Sequence, residues 1–458
     1  MTELIGESPP TLPAARHGRG MIAVAAGLGA FGLSTYGFLG FAGQGLGPER
    51  FAPLSVLWTL LNALGIGLFL PFEQELGRVT AMRRARGEGN RSYVRHVVAV
   101  ALVLLAGVCV LAILAGPVLT ARLLTGHGEL VVLLVLAMAG MAASYIVRGL
   151  LSGHGRFERY GAQLAADGVL RVLAAGVLFG LGIRSVTAYA LVLFVTPVVA
   201  VLVTTPRPSV LVRSGGPEVA GRTIVRAVAT LLGASVLSQA LANAGPIIVQ
   251  LLATPNEGAV SGQFLAALVV ARVPLFLFAA VQAVFLPGLA GLVSTGDGDG
   301  FRRRVEAVSV GTLVIGVAGA LAVWLLGSAL VTLLFGPLFS IDRGVITLIA
   351  ASGALFMLAQ VAAQALLALG ADRAVVMGWA AGIAGLLIAA AVPGELVTRA
   401  AWSLVLGSAA ALVPLAACLV LRQARWRAGL GEGRAGLGEG GGGLGEGGGG
   451  LDAGRRSS

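Results

Sequence analysis

The stretch SGQFLAALVVARVPLFLFAAVQAVFLPGL, residues 261–289, contains a single charged side chain, that of Arg272. An apolar run of about 20 residues is long enough to cross a hydrocarbon core of about 30 Å as a helix. The stretch therefore predicts a membrane-spanning helix with an arginine near mid-membrane, and Pro274 is placed to kink that helix.

Apolar runs of this kind recur along the whole chain. The chain has 458 residues, of which 57% are hydrophobic and 12% charged, whereas a soluble domain has about 25% charged residues. Because the runs are too long for barrel strands, we predict an all-α integral membrane protein with about twelve transmembrane helices. The predicted spans are 21–43, 51–80, 96–120, 130–150, 161–182, 187–204, 226–252, 258–289, 307–334, 344–369, 374–392 and 400–421.

The longest predicted cytoplasmic link between spans divides them six and six. The two halves also echo each other loosely, in RGLLSGHGRFERYG (148–161) and QALLALGADR (364–373). This pattern predicts two six-helix bundles with a site between them near mid-membrane. The predicted organisation is an N-terminal arm (1–20), an N-terminal bundle (21–204), a linker (205–225), a C-terminal bundle (226–421) and a disordered Gly-rich tail (422–458).

Arginine predicts the orientation, since the chain has no lysine. With the N-terminus inside, 25 arginines fall in cytoplasmic segments and 5 in outer loops. This bias predicts cytoplasmic N- and C-termini, and the composition favours a bacterial cytoplasmic membrane. The net charge of +11 is spread over several short segments, so we expect no nucleic-acid partner. The four histidines and two cysteines have no metal-ligand spacing, and we expect no metal, cofactor or disulfide.

Polar groups inside predicted spans are the candidate functional residues, because a buried charge in a bilayer is costly and usually faces a cavity or a partner. No soluble-enzyme motif, such as a phosphate loop or a zinc-protease helix, is present. The candidates for a substrate cavity are Arg272, Arg171, Asn243, Gln239, Ser235, Asn62, Glu73, Gln360 and Gln364. The candidates for ion coupling are Asp167 and Glu73.

Structural roles compete with several of these functional ones. Glu73 continues a polar stripe through Ser55, Asn62 and Thr80, which indicates a cavity-lining face, but an interfacial carboxylate tied to nearby arginines would look the same. Glu75 is spaced to pair with Arg78.

In span five, Asp167 and Arg171 have the spacing of a mutual ion pair. Ser235, Gln239 and Asn243 are spaced four apart and either line a hydrated pathway or hold helices together. Arg272 has no acid in its own span, so its partner is a carboxylate elsewhere, a backbone carbonyl or a substrate phosphate.

The order of several motifs resembles a known superfamily. The motifs include GLGPERFAPLSVLWTL (45–60), SQALANAGPIIVQLL (238–252), LFGPLF (334–339) and those quoted above. Over residues 20–425 the chain resembles the multidrug/oligosaccharidyl-lipid/polysaccharide exporter superfamily, and within it the flippases for lipid-linked oligosaccharides. The resemblance implies a V-shaped pair of bundles around a central cavity with alternating access. It also implies a substrate with an undecaprenyl-type tail, a pyrophosphate and a sugar head, which Arg272 and Arg171 suit.

Three functions are therefore expected in order. The first is a flippase or exporter of a lipid-linked glycan, embedded among membrane lipids and working beside glycosyltransferases and a polysaccharide polymerase. The second is a cation-coupled exporter of drugs or amphiphiles from the same superfamily. The third is a polytopic membrane glycosyltransferase or polymerase, which the short loops disfavour, so we expect a transporter and no enzyme.

Overall fold

The computed structural model describes residues 14–218, 221–254 and 257–439, and within these ranges it is helical with connecting turns. The beginning of the predicted arm (1–13) and the end of the predicted tail (440–458) lie outside the described residues. The first half of the chain (the N-half, 14–204) contains α1 (Ala14–Leu60), a π-helical turn (Leu61–Ile66), α2 (Gly67–Ala85), α3 (Arg91–Val118), a second π-helical turn (Leu119–Leu123), α4 (Glu129–Gly153), α5 (Phe157–Gly180) and α6 (Val186–Thr204).

The second half of the chain (the C-half, 221–439) follows a linker segment, 205–218, that carries the short helix α7 (Pro208–Leu211). Its helices are α8 (Gly221–Leu252), α9 (Val260–Ala271), α10 (Val273–Ser294), α11 (Gly298–Phe335), α12 (Arg343–Ala368), α13 (Asp372–Ala391) and α14 (Leu396–Glu439). The prediction of an all-α membrane fold with two bundles is confirmed. Among the described residues, ten helical segments are long and apolar enough to span a membrane, so the protein is a multi-pass membrane protein.

The count of ten differs from twelve mainly because of two irregular regions. The first two predicted spans form one helical run, 22–85, that is broken by non-helical backbone at Gly47, where φ is 73°. A positive φ is accessible to glycine without the Cβ clash that other residues meet, so a turn at one residue replaces the connection expected between 43 and 51. The predicted span 258–289 is divided at Arg272 into α9 and α10.

Two predicted boundaries move. The C-half begins at Gly221 and not at 226. The expectation of a disordered tail from 422 is wrong for residues 422–439, because α14 continues to Glu439. Two side-chain contacts anchor this extension: Trp426 packs edge-on against Phe301 with ring centroids 5.5 Å apart, and Arg427 pairs with Asp299 at 2.6 Å. Extending an existing helix costs less than starting one, so glycine does not end α14 at the predicted position.

The helices alternate in direction, and the connecting segments therefore collect at two ends of the molecule. We call the end with the connections near 86–90, 154–156, 205–218, 295–297 and 369–371 the arginine-rich end, and the other the opposite end. At the opposite end the halves pack tightly. The side chain of Gln44 donates to the Leu334 carbonyl at 2.8 Å, and the buried ring of Phe51 packs edge-on against Phe335 and Phe339 with centroid distances of 5.9 and 5.6 Å.

Candidate functional site

A cavity of about 330 Å³ lies between the two halves. The N-half contributes residues of α1 and of the π-helical turn, and the C-half contributes residues of α8, α9, α10 and α12. The lining residues are Phe31, Thr35, Tyr36, Trp58, Asn62, Ile66, Gln239, Ala242, Asn243, Leu268, Val269, Arg272, Leu275, Phe278, Phe356, Met357 and Gln360. Five of the nine residues proposed for a substrate cavity are therefore brought together here: Arg272, Asn243, Gln239, Asn62 and Gln360.

Arg272 lies at the point where α9 ends and α10 begins. Its backbone N–H bonds the Val269 carbonyl at 3.3 Å, in the tighter pattern of a helix end, and its own carbonyl accepts from Leu275 at 2.9 Å. Pro274 occupies the first turn of α10, where its missing N–H costs no helical hydrogen bond. The kink expected from Pro274 is thus a complete break in the helix, and broken helices often mark binding sites in transporter folds.

The guanidinium of Arg272 has a neutral partner. Its Nη1 donates to Oδ1 of Asn243 at 3.1 Å, and the amide of Asn243 donates to the carbonyl and the side-chain oxygen of Gln239 at 2.9 and 3.3 Å. Among the described residues no carboxylate lies within ion-pair distance of Arg272. The arrangement holds the arginine beside the cavity with its positive charge uncompensated, which is suited to an anionic group.

The N-half places Asn62 in the cavity through a π-helical turn. The Asn62 amide donates to the Trp58 carbonyl at 2.8 Å, within the helix, and leaves its carbonyl oxygen without a printed partner. π-turns are uncommon and often occur at functional sites.

The predicted stripe from Ser55 to Thr80 does not hold across this turn. Ser55 is fully buried and bonds the Ala52 carbonyl, while Thr80 lies near the arginine-rich end, away from the cavity that Asn62 lines. A helix advances about 100° per residue, so the wider π-turn changes the register and residues spaced by regular turns lose their common face. The spacing alone could not reveal this change.

Glu73 forms a buried cluster in the N-half and does not line the cavity. Its carboxylate accepts from Arg148 Nε at 2.8 Å and from the Tyr160 hydroxyl at 2.7 Å. The Arg148 guanidinium also lies over the Tyr145 ring, 4.2 Å from its centroid. These contacts connect α2, α4 and α5, so the alternative in which Glu73 is tied to an arginine is the one observed. The arginine is Arg148, which the sequence patterns did not single out.

A second buried pair lies deeper in the N-half. Arg171 Nη2 is 3.0 Å from both oxygens of Asp167, as the spacing predicted, and the Thr196 hydroxyl donates to Asp167 at 2.7 Å. The Arg171 guanidinium lies 5.1 Å from the ring centroid of Phe31, which lines the cavity. Arg171 is therefore separated from the cavity by one aromatic ring.

The remaining candidates lie elsewhere. Ser235 is one turn from Gln239 and outside the cavity lining, and Gln364 is one turn beyond Gln360, with its side-chain oxygen buried and without a partner in the described chain. Glu75 pairs with Arg78 as predicted, with atoms 2.8 and 2.9 Å apart, but it is buried and also accepts from Tyr93 at 2.9 Å.

Sequence reasoning missed the aromatic part of the cavity. Tyr36, Trp58 and Phe356 line it, and aromatic side chains that carry a polar atom inside an apolar span were the available signal.

Comparisons with solved structures agree on the fold. A multidrug-resistance MATE family transporter of the MOP superfamily, in its inward-facing conformation, superposes with a TM-score of 0.68 at 14% identity, covering 88% of this chain and 96% of that one. The outward-facing conformation of such a transporter gives a TM-score of 0.64 at 15% identity, over 91% and 96% of the two chains.

A MOP superfamily transporter from Pyrococcus furiosus, described by a reversed polarity of its binding pocket that suggests a different function, also gives 0.64 at 15% identity, over 90% and 96%. The chain therefore has the MATE-like fold.

Sequence relatives are more distant in information than in length. Two uncharacterized proteins of Mycobacterium tuberculosis (strain ATCC 25618 / H37Rv), Rv1510 and Rv3630, are each 26% identical to the chain. The first match spans 446 residues, 92% of this chain and 96% of the relative, and the second spans 391 residues, 82% and 86%. No protein-family model matches the chain.

Proposed function

We propose that the protein is a membrane transporter of the MOP superfamily that flips or exports a lipid-linked oligosaccharide or polysaccharide precursor by alternating access. The observation that carries this proposal is the position of Arg272. It lies beside the cavity between the halves, where helix α9 breaks, and its hydrogen-bond partner is the neutral Asn243. Keeping an unneutralised arginine at mid-membrane is costly unless an anionic group binds there, and the phosphates of a lipid-linked glycan supply such a group.

An apolar groove beside the cavity supports an amphipathic substrate. The groove, of about 770 Å³, is lined almost entirely by aliphatic side chains of the N-half and of α8, among them Leu60, Leu64 and Leu68. On the other side of the same helical run, Trp58, Asn62 and Ile66 line the polar cavity. Residues two apart on a helix point about 200° away from each other. A lipid tail in the groove and its charged head in the cavity would therefore lie on two sides of one helical segment.

The proposal extends to cellular context. We infer a bacterial cytoplasmic membrane with both termini inside, so that the arginine-rich end is cytoplasmic, as the arginine bias favours. The reactions on either side are then those of glycosyltransferases, which build the lipid-linked glycan, and of a polymerase, which consumes it. In this orientation the packed opposite end closes the cavity toward the outside.

The competing function is cation-coupled export of drugs or amphiphiles, which the MATE-like fold favours. It requires a carboxylate that exchanges a cation during transport, and the N-half candidates are Asp167 and Glu73. Both carboxylates already accept from an arginine and a hydroxyl, so a cation would have to displace a guanidinium. This occupancy favours the flippase.

A proteoliposome assay separates the two functions. A fluorescent lipid-linked pyrophosphoryl saccharide and a cationic drug are offered to the reconstituted protein, with and without an ionophore that dissipates the ion gradients. For the flippase we expect protein-dependent movement of the saccharide lipid and no movement of the drug. Drug efflux that stops with the ionophore and in the Asp167→Asn variant, without any movement of the saccharide lipid, would instead establish the exporter.

A further inference from the structure

A second cavity, of about 410 Å³, lies at the arginine-rich end, away from the site between the halves. Its walls come from the N-half and from the linker segment that leads to the C-half. The lining residues are Thr80, Arg84, Gly87, Glu88, Asn90, His154, Arg156, Ser209, Val210 and Arg213. The transport proposal does not use any of these side chains.

The linker side of the cavity is held in place by Asn90, which is buried. The Asn90 side chain donates to the Leu211 carbonyl at 3.0 Å and accepts from the Arg213 N–H at 2.9 Å, while the backbone N–H groups of Asn90 and Arg91 both donate to the Arg213 carbonyl, at 2.9 and 3.0 Å. These four hydrogen bonds position the linker beside the N-half, so Arg213 faces a prearranged set of N-half groups.

Arg83 adds a second attachment that spans the linker. Its buried guanidinium donates to the Gly89 carbonyl at 2.9 Å and to the Pro217 carbonyl at 3.1 Å. The loop 86–90 and the linker are thereby joined on both sides of Arg213. The cavity is consequently a built feature of the fold, in contrast to a random set of surface arginines.

The charges of the cavity are unbalanced. Three guanidiniums, those of Arg84, Arg156 and Arg213, line it together with one carboxylate, that of Glu88. In the described part of the chain none of these arginines forms an ion pair. Arg84 is held by a hydrogen bond to the His154 carbonyl. Burial lowers the pKa of His154, and the positive charges of Arg84, Arg156 and Arg213 lower it further, which is independent evidence that the three arginines converge on one point.

A hydroxyl completes the set of donors. Thr80 is 2% exposed and lines the same cavity, and its Oγ1 has no hydrogen-bond partner among the residues that the structure describes. A buried hydroxyl without a partner is unfavourable. Guanidinium groups with a hydroxyl are the donors that recognise phosphate oxygens in two-pronged hydrogen bonds.

We propose that this cavity binds a phosphate-bearing anion, and that the bound anion fastens the linker to the N-half by bridging Arg213 to Arg84 and Arg156. The anion is either the head group of an anionic lipid or a soluble phosphate compound, because both present the same oxygens. The cavity is larger than a bare phosphate needs, so it accommodates a substituted phosphate. The site does not depend on what the protein transports.

The test uses the purified full-length protein and its thermal unfolding temperature. Inorganic phosphate is titrated at constant ionic strength against chloride in detergent, and nanodiscs of phosphatidylglycerol are compared with nanodiscs of phosphatidylcholine. The variants are Arg156→Gln, Arg213→Gln and their combination. Arg303→Gln is the matched control, since Arg303 is an exposed arginine at the same end and outside the cavity.

We expect a saturable rise of the unfolding temperature that Arg303→Gln retains and that the double variant requires about tenfold more anion to reach. A rise with phosphate in detergent identifies a soluble anion as sufficient, and a rise confined to phosphatidylglycerol nanodiscs identifies a lipid head group. The absence of both rises overturns the proposal, as does an equal rise in the double variant or one that does not saturate.

A second measurement guards against variants that fold poorly. Trypsin cleaves after arginine, and Arg207 in the linker is exposed. Saturating anion should slow cleavage at Arg207 in the wild-type protein and in Arg303→Gln but not in the double variant. Equal protection in all three proteins contradicts a role of the cavity.

Discussion

The two halves treat buried arginine in opposite ways. In the N-half, Arg148 and Arg171 each contact a carboxylate, at 2.8 and 3.0 Å, with side chains only 10% and 12% exposed. In the C-half, Arg272 contacts the neutral amide of Asn243 at 3.1 Å. Removing one member of a buried ion pair leaves an uncompensated charge, so the N-half pairs stabilise the bundle as it stands. Arg272 is the buried arginine whose charge is left available beside the cavity.

The difference teaches that mid-membrane charge is not by itself a sign of substrate contact. Spacing marked Arg171 and Arg272 as equal candidates, but their partners separate them. The carboxylate of Asp167 neutralises Arg171, which reaches the cavity only through the ring of Phe31. The following predictions test whether this separation of structural and functional charges is correct.

The largest expected effect is on stability, from Arg148→Ala. This change leaves the Glu73 carboxylate buried with the Tyr160 hydroxyl as its remaining partner, and breaking such a pair costs about 3–5 kcal/mol. The unfolding of the detergent-solubilised protein measures it. Replacing both members, as in Arg148→Met with Glu73→Leu, should recover most of the loss, because no charge then remains buried. A single variant as stable as the wild type would contradict the structural role.

The second effect is on transport, from Arg272→Ala. We expect translocation of a lipid-linked glycan to fall by about 10- to 100-fold, the loss of one or two charge-assisted hydrogen bonds. The unfolding temperature should stay close to that of the wild type, since no buried carboxylate loses its partner. Arg272→Lys keeps the charge without the forked donors and should retain part of the activity. Unchanged translocation in Arg272→Ala would refute a substrate role for this residue.

The comparison is sharpened by making the C-half resemble the N-half. Asn243→Asp places a carboxylate 3.1 Å from Arg272 with almost no change in shape. The new pair should neutralise Arg272 and reduce translocation by about tenfold, while the unfolding temperature should not fall. Gln239→Glu is the control, because Gln239 lines the same cavity but contacts Arg272 only through Asn243. Full activity of Asn243→Asp would show that the free charge is not what the substrate uses.

The smallest effect concerns the arginine-rich end, where the N-half no longer pairs its arginines with acids. His154 is partly buried among Arg84, Arg156 and Arg213, with Glu88 in the same cavity, and its pKa is lowered from 6.5. The folded protein thus favours neutral His154, and its contribution to stability is present above about pH 6.5. The contribution declines as the pH falls toward the folded pKa.

Thermal unfolding between about pH 7 and 5 measures this contribution. His154→Gln should show a smaller decrease of the unfolding temperature over that range than the wild type, whereas His127→Gln, at the opposite end, should behave as the wild type does. Identical profiles for His154→Gln and the wild type would show that the arginines do not act on His154.

Several elements of the molecule follow from the sequence alone. The apolar runs set the helices, because only a helix satisfies its backbone within a membrane. The spacing of Asp167 and Arg171, and of Glu75 and Arg78, defined ion pairs within single helices, since residues one turn apart lie side by side. Polar side chains in apolar spans identified most of the polar residues around the central cavity, because such residues are costly unless they face a partner.

The tertiary structure alone decided which polar groups meet across helices. Arg148 and Glu73 are 75 residues apart, and no local pattern relates them. The π-helical turn at Leu61–Ile66 rotated Glu73 and Thr80 away from the face of Asn62, and the anchoring of Trp426 and Arg427 kept α14 helical beyond its apolar part. Periodicity describes one helix at a time, whereas the neutralisation of a buried charge depends on which other helix packs against it.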